Sequence, residues 1–248
     1  MKIIISPAKK MKINNDDFTH KNMPIYIRET EKLLGYMKKL SYEELKHIWQ
    51  CNDRIAELNY ARIKNMDLYD NLSPAIFSFE GLQYQYMGPG VFTYEELDYI
   101  EDHLRIISGF YGLLRPFDGV VPYRLEMQAK LLDWDYKNLY EFWDRKLADH
   151  LFSECQYLIN LASTEYSRTV SQYIPNDRLM ITCVFGELID GKVIQKGTLA
   201  KMARGEMVRF MAENHLSKPK DIKEFDRLGY KYRADLSDDN NYVFVKDN

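Results

Sequence analysis

Residues 2–6 read KIIIS, a short run of β-branched apolar residues that stops at once at Ser6-Pro7. An apolar run bounded by a turn signal predicts a buried strand followed by a loop. A second such run, YLINLAS at 157–163, also ends in polar residues. Segments of helical pattern lie between and around these runs, so helices and strands alternate along the chain. The sequence therefore predicts an α/β fold, a mixed sheet with surrounding helices.

Several further elements carry recognisable local signals. Two helices are predicted by capping boxes, Ser41 with Glu44 and Thr93 with Glu96. Asp190-Gly191 between β-rich runs predicts a hairpin. The remaining expected elements are helices at 28–39 and 138–152, a strand at 73–81 ending at Gly81, and a closing strand at 242–245.

Length and composition restrict the class of protein. The chain has 248 residues, of which 46% are hydrophobic and 29% charged, an ordinary globular composition. No low-complexity linker marks a boundary, so we expect one domain over residues 1–248. No apolar run is long enough for a membrane helix, and we expect a cytoplasmic chain. The net charge of −3 leans against a dedicated nucleic-acid binder, so any such role must use a local basic patch.

The cysteines and histidines give no metal or redox motif. Cys51, Cys155 and Cys183 are widely spaced, which favours buried, inert thiols over a disulfide framework. The five histidines are scattered without metal-ligand spacing. We therefore expect neither a metal site nor a cofactor.

Polar residues follow both apolar strands. In open α/β sheets, ligands bind outside the carboxyl ends of the strands. Lys9, Ser163, Glu165 and Tyr166 are therefore candidates for one shared site. The alternative is that Ser163 or Thr164 caps a helix and that Lys9 is solvated.

Residues 198–215 predict a helix with a basic side. Its core-facing stripe comprises Leu199, Ala203, Met207 and Phe210. Lys201, Arg204 and Arg209 fall on the opposite half, which indicates either an anion-binding surface or a solvated face. Gly205 costs about 1 kcal/mol relative to alanine inside a helix, so a backbone or a ligand is expected to approach it closely.

The segment 109–127, GFYGLLRPFDGVVPYRLEM, combines glycines, prolines and charges. Gly109 is expected to end the helix that begins after Thr93. The prolines at 116 and 122 favour extended residues before them, and Asp118-Gly119 offers a turn. Such a rigid double turn would hold Arg115, Tyr123, Arg124 and Glu126 in fixed positions. Alternatively, Arg124 and Glu126 neutralise charges elsewhere in the fold.

The chain resembles a known family through several blocks in order. These are ISPAK, SGFYGLLRPFD with PYRLEM, LYEFW, NLAS with EY, the K-ARG-M-RF pattern and the late F---GY pattern. Together they resemble the YaaA peroxide-stress protein family almost end to end. Gln128 departs from the glycine expected there in several members.

The resemblance implies a single-domain cytoplasmic α/β fold particular to the family, with a helix-hairpin-helix-like element and a positively lined cleft. It implies a role in limiting free intracellular iron and oxidative DNA damage during peroxide stress, with binding to double-stranded or distorted DNA. It brings no settled reaction. The matching polar positions are Lys9, Arg115, Tyr123, Arg124, Glu126, Asn160, Ser163, Glu165, Tyr166, Lys201, Arg204 and Arg209.

An alternative function is an enzyme acting on a small anionic or nucleotide-like substrate. The arginines and lysines would hold the anion, and the catalytic candidates are Glu126, Lys9 and Tyr123. Glu165 and Tyr166 are further candidates for proton transfer and orientation. Direct iron binding has the least support, because no ligand spacing is visible. A closed pocket would favour chemistry, and an open basic groove would favour DNA.

Overall fold

The computed structural model describes residues 1–14 and 18–246. The helices of this part are α1 Ile27–Lys39, α2 Tyr42–Trp49, α3 Asp53–Asn65, α4 Ala75–Ser78, α5 Leu82–Met87, α6 Tyr94–His103, α7 Leu139–Trp143, α8 Lys146–Glu154, α9 Thr164–Ser171 and α10 Gly197–Glu213. The strands are β1 Lys2–Ile5, β2 Lys10–Met11, β3 Ser73–Pro74, β4 Phe79–Glu80, β5 Leu104–Ser108, β6 Gly112–Leu114, β7 Gly119–Val120, β8 Tyr157–Leu161, β9 Leu179–Ile189, β10 Lys192–Ile194, β11 Tyr230–Tyr232 and β12 Asn241–Lys246.

One eight-stranded sheet organises the fold, in the order β11-β12-β9-β8-β1-β5-β6, with β10 paired to β9. The strands from β12 to β5 run parallel, and β6, β10 and β11 are antiparallel to their neighbours. All three isoleucines of β1 are fully buried, as expected for a strand in the middle of a parallel sheet with helices on its faces. The α/β class with a mixed sheet and surrounding helices is thus confirmed.

Local sequence signals account for several elements. The capping boxes at Ser41 and Thr93 both form at the starts of α2 and α6. The hairpin at Asp190-Gly191 joins β9 to β10, and both turn residues have positive φ, 49° and 75°. This is the backbone twist that a two-residue hairpin favours. The strands predicted at 2–6, 157–163 and 242–245 also form, within a residue or two of the expected bounds.

Three predictions about local structure were wrong. Residues 104–108 do not extend the helix to a cap at Gly109 but form β5 beside β1, because a short buried apolar run does not distinguish helix from strand. The expected helix at 138–152 is two helices, broken at Asp144 with φ of 42°. The expected strand at 73–81 contains the short helix α4. The glycine-containing stretch 108–114 comprises the end of β5, a turn and the antiparallel strand β6.

The glycine inside α10 is explained by helix packing. A Cβ on Gly205 would lie 2.2 Å from the carbonyl oxygen of Gln83 and 2.9 Å from the backbone nitrogen of Met87, both in α5. Only a hydrogen allows this approach, so the expectation of a close backbone contact at Gly205 is confirmed. The contact fixes the side of α10 that carries Arg204 against the start of α5.

Candidate functional site

A cleft of about 360 Å³ opens at the carboxyl ends of β1 and β8. Its walls are the loop after β1, the start of α5, the first turn of α9 and one side of α10. The lining residues are Ser6, Pro7, Ala8, Lys9, Lys10, Glu80, Gly81, Leu82, Gln83, Tyr84, Ser163, Glu165, Tyr166, Lys201 and Arg204. The cleft lies where open parallel sheets bind ligands, and its volume suits a small molecule.

Two serine hydroxyls join the two strand ends inside the cleft. The Oγ atoms of Ser6 and Ser163 are 3.2 Å apart, and the backbone N–H of Ser163 donates to Ser6 Oγ at 2.8 Å. Tyr84 donates its hydroxyl to the carbonyl of Ser6 at 3.0 Å. Ser163 occupies the N-cap position of α9, but its hydroxyl makes no capping hydrogen bond and points instead to Ser6. Ser163 therefore does not cap α9 with its side chain, in contrast to the alternative considered from the sequence.

Arg204 is the unusual cation of the cleft. Burial lowers the pKa of its guanidinium, whereas the electrostatic interaction with Cys183 raises it. Its Nε is buried without a hydrogen-bond partner among residues 1–14 and 18–246, and no carboxylate of that part lies within ion-pair distance. Lys201, one helical turn earlier, is exposed and lines the same cleft. Both cations therefore line one cleft, and neither has a carboxylate within ion-pair distance among residues 1–14 and 18–246.

Lys9, Arg124 and Glu126 form a charged cluster beside the cleft. Glu126 Oε1 lies 2.9 Å from Arg124 Nη2 and 3.2 Å from Lys9 Nζ. The Arg124 and Glu126 side chains are each only 11% exposed, whereas that of Lys9 is 65% exposed. From the sequence, Arg124 and Glu126 could also neutralise charges elsewhere in the fold. In the structure they form an ion pair with each other. Lys9 stays accessible at the cleft rim.

Glu165 and Glu80 are the two acidic residues in the cleft lining given above, and Glu165 lies in the first turn of α9. Burial raises its pKa, and the backbone N–H of Gln128, which donates to Oε1 at 3.3 Å, acts in the opposite direction. Glu126 also raises this pKa, whereas Lys9 lowers it without reaching ion-pair distance. The neighbouring Tyr166 is buried, and burial likewise raises the pKa of its hydroxyl. A half-buried carboxyl with a raised pKa is suited to proton transfer.

Other candidate residues lie outside the cleft lining. Arg115 binds Asp118, 2.9 Å from Nε to Oδ1, and donates to the carbonyl of Met23. Asn160 is buried and donates to Thr182 while accepting from the N–H of Ala162.

The last two candidates also have partners of their own. Arg209 pairs with Glu213 one turn along α10, 2.7 Å from Nε to Oε1. Tyr123 is buried, and its hydroxyl is 2.6 Å from Ser108 Oγ. These contacts give Arg115, Asn160, Arg209 and Tyr123 structural roles at the positions that they occupy.

The cleft also contains residues that the sequence analysis did not single out. Ser6 stood at a predicted strand end, which is the signal that could have identified it. Gln83 and Tyr84 belong to α5, for which the sequence offered no signal. Gly81 lies on the cleft wall, where a Cβ would come within 3.1 Å of Ala8 Cβ.

Within residues 1–14 and 18–246, no three His, Cys, Asp or Glu side chains come together as metal ligands would. In the same ranges, no helix is both long enough and apolar enough to cross a membrane. Cys155 and Cys183 are buried, Cys51 is partly exposed, and burial raises the pKa of all three thiols.

Fold and site together define an α/β protein with a small-molecule-sized, cation-lined cleft at the carboxyl edge of its parallel strands. Residues 1–236 match the family described as peroxide stress protein YaaA. A UPF0246 protein of Pediococcus pentosaceus is 54% identical over 246 residues, which cover 99% of this chain and 98% of the relative. A UPF0246 protein of Agathobacter rectalis is 53% identical, with 99% of both chains covered. The chain belongs to the YaaA/UPF0246 peroxide stress protein family.

Proposed function

We propose that this chain binds a small anionic, nucleotide-sized molecule in the cleft, and that this binding is its contribution to the peroxide-stress response. The observation that carries the proposal is Arg204, a half-buried side chain in a cleft of about 360 Å³, with its Nε buried and no carboxylate partner among residues 1–14 and 18–246. Burying an uncompensated charge opposes folding. A bound anion would supply the missing partner and restore the lost hydrogen bonding.

Other features of the cleft support an enclosed ligand. Arg204 is held in place because Gly205 packs directly on the backbone of α5. Ser6 and Ser163 place hydroxyls in the same space, and Lys201 adds an accessible cation. Fixed polar groups in a concave site are the usual means of orienting a small ligand.

The binding is tested by isothermal titration calorimetry with inorganic pyrophosphate and with adenosine 5′-monophosphate. Hydrogen bonds to charged groups contribute about 1.5–3 kcal/mol, so Arg204→Met should weaken binding by roughly 10–150-fold. Arg209→Met is the matched control, because Arg209 lies on the same helix and is paired with Glu213. Equal affinity of wild type and Arg204→Met would refute the proposal.

Catalysis on this ligand is part of the same proposal. Tyr123 is a poor proton donor, because its hydroxyl is buried against Ser108. Glu165 is the preferred acid–base group since its carboxyl lines the cleft and has a raised pKa, with Lys9 and Glu126 at the rim. Incubation of candidate nucleotides with wild type and with Glu165→Gln, followed by product analysis, tests this role. Turnover by Glu165→Gln at the wild-type rate would show that Glu165 is not the acid–base group.

DNA binding is the second candidate, and one observation favours it. Lys9 and Lys10 at the cleft mouth are 65% and 79% exposed, and Lys201 is exposed nearby. Lysines in this position could contact phosphates of double-stranded or distorted DNA. The triple variant Lys9→Ala, Lys10→Ala, Lys201→Ala should then reduce the slope of log affinity against log salt by about 2–3. An unchanged slope would exclude these lysines from DNA contact.

We propose that limiting free intracellular iron, and with it oxidative DNA damage, is the cytoplasmic outcome of ligand binding in the cleft. Arg204→Met should then fail to restore peroxide tolerance in cells that lack this protein, whereas Arg209→Met should restore it. Protein levels of both variants, measured by immunoblot, are the control. Full restoration of peroxide tolerance by Arg204→Met would show that the cellular role does not depend on ligand binding in the cleft.

A further inference from the structure

Two charges of opposite sign share the cleft without being paired. Glu165 lines one side in the first turn of α9, and Arg204 lines another side on α10. Neither side chain has an ion-pair partner within the described chain, and they are not within ion-pair distance of each other. A cleft that served only the stability of the fold would gain by joining them.

Of the other charges that line the cleft, Lys9, Lys10 and Glu80 are ion-paired, and Lys201 is exposed to solvent. Lys10 binds Glu80 at 2.7 Å, and Lys9 binds Glu126 at 3.2 Å. The paired charges therefore neutralise the rim and leave a cation and a carboxyl inside. Burial acts on both unpaired groups in the direction that disfavours their charged forms, lowering the pKa of Arg204 and raising that of Glu165.

Arg204 and Glu165 each belong to an element that is held by its own backbone contacts. Gly205 holds α10 against the backbone of α5, so Arg204 remains on the α5 side of the cleft. Glu165 is anchored by the backbone N–H of Gln128, while the carbonyl of Glu165 accepts the hydroxyl of Tyr140 at 2.8 Å. The separation is therefore set by the backbone positions of two anchored elements.

We infer that the ligand of the cleft is dipolar, with an anionic group that binds Arg204 and a cationic or N–H donor group that binds Glu165. This inference rests on the proposed function, because it assumes that an anion occupies the Arg204 side. It narrows the ligand to molecules such as phosphate esters that also carry an amine, either a free ammonium or the amino group of a nucleobase. Simple anions would satisfy only half of the site.

Two pairs of probes test the inference by isothermal titration calorimetry. O-Phosphoethanolamine is compared with ethyl phosphate, and adenosine 5′-monophosphate with purine riboside 5′-monophosphate. Each pair differs in the amine, and the two pairs separate a free ammonium from a nucleobase amino group. The wild-type chain should bind at least one amine-bearing probe about 10-fold more tightly than the matching probe without the amine. This ratio is about what one hydrogen bond to a charged group contributes.

Variants assign the preference to Glu165. Glu165→Leu should bind both members of the preferred pair equally, whereas Glu80→Gln, in the same cleft but at an ion-paired position, should keep the preference. Anion binding that depends on Arg204 but shows no preference for an amine would overturn the dipolar ligand and leave the proposed function standing. Failure of the chain to bind any of the four probes would overturn both.

Discussion

Alanine at Gly205 should destabilise the chain, because the new methyl group has no space. Its carbon would lie 2.2 Å from the carbonyl oxygen of Gln83 and 2.9 Å from the nitrogen of Met87. Both atoms are backbone, so relief requires movement of α5 or α10. Overpacking of this kind costs about 1–3 kcal/mol, here at the upper end, and the gain in helix propensity offsets about 1 kcal/mol. We expect a net loss of about 2 kcal/mol, or about 4–8 °C in Tm.

Gly35→Ala is the matched control, because Gly35 also lies inside a helix, α1, but nothing lies within 4 Å of the position of its Cβ. It should raise the free energy of unfolding by about 0.5–1 kcal/mol. Urea unfolding followed by circular dichroism measures both variants. If Gly205→Ala were as stabilising as Gly35→Ala, the close packing of α10 on α5 would be refuted, and with it the fixed position of Arg204.

Three further predictions concern stability and reactivity. Glu154→Gln should lower the free energy of unfolding by about 2–4 kcal/mol at pH 7, since it leaves Arg105 buried without its 3.1 Å partner. Burial raises the pKa of Glu154, but the hydrogen bond and charge of Arg105 outweigh burial and hold this pKa below its usual value. The difference in stability should therefore shrink as the pH falls through that lowered pKa, and a difference that stays constant with pH would contradict the prediction. Gly191→Ala should cost about 1–2 kcal/mol in urea unfolding because φ is 75°, and no loss would argue against the left-handed turn. A thiol reagent should label partly exposed Cys51 first and Cys183 only on unfolding, since burial raises the pKa of Cys183 to about 12; early labelling of Cys183 would contradict its burial.

The location of the cleft could be predicted from the sequence to a large extent. The apolar runs before Ser6 and Ser163 identified two strands, and parallel strands bring their carboxyl ends to one edge. The grouping of Lys9, Glu165 and Tyr166 in the cleft follows from that rule. Local chemistry was equally informative at the capping boxes and the Asp190-Gly191 hairpin, because those structures depend on neighbouring residues only.

Features that depend on long-range packing could not be predicted. The run at 104–108 is apolar enough for a helix or a strand, and only its pairing with β1 decides the outcome. Helical periodicity placed Arg204 opposite the apolar stripe and left open whether that side binds an anion or is solvated, but α10 packs against both α5 and β9, and Arg204 is half-buried. The partners of Arg115 and Arg209 are a different case, because Asp118 and Glu213 lie only three and four residues further along the chain. Periodicity shows which residues share a face and does not show what covers that face.

Under the proposed function, Arg204 serves a ligand rather than the stability of the fold. The most direct test is the free energy of unfolding of Arg204→Met in urea, without added anions, compared with wild type. Methionine keeps the apolar stem and removes the buried unpaired charge, so we predict a stability equal to wild type or higher by up to about 2 kcal/mol. A loss of about 2 kcal/mol or more would contradict the account, because it would make Arg204 a structural residue.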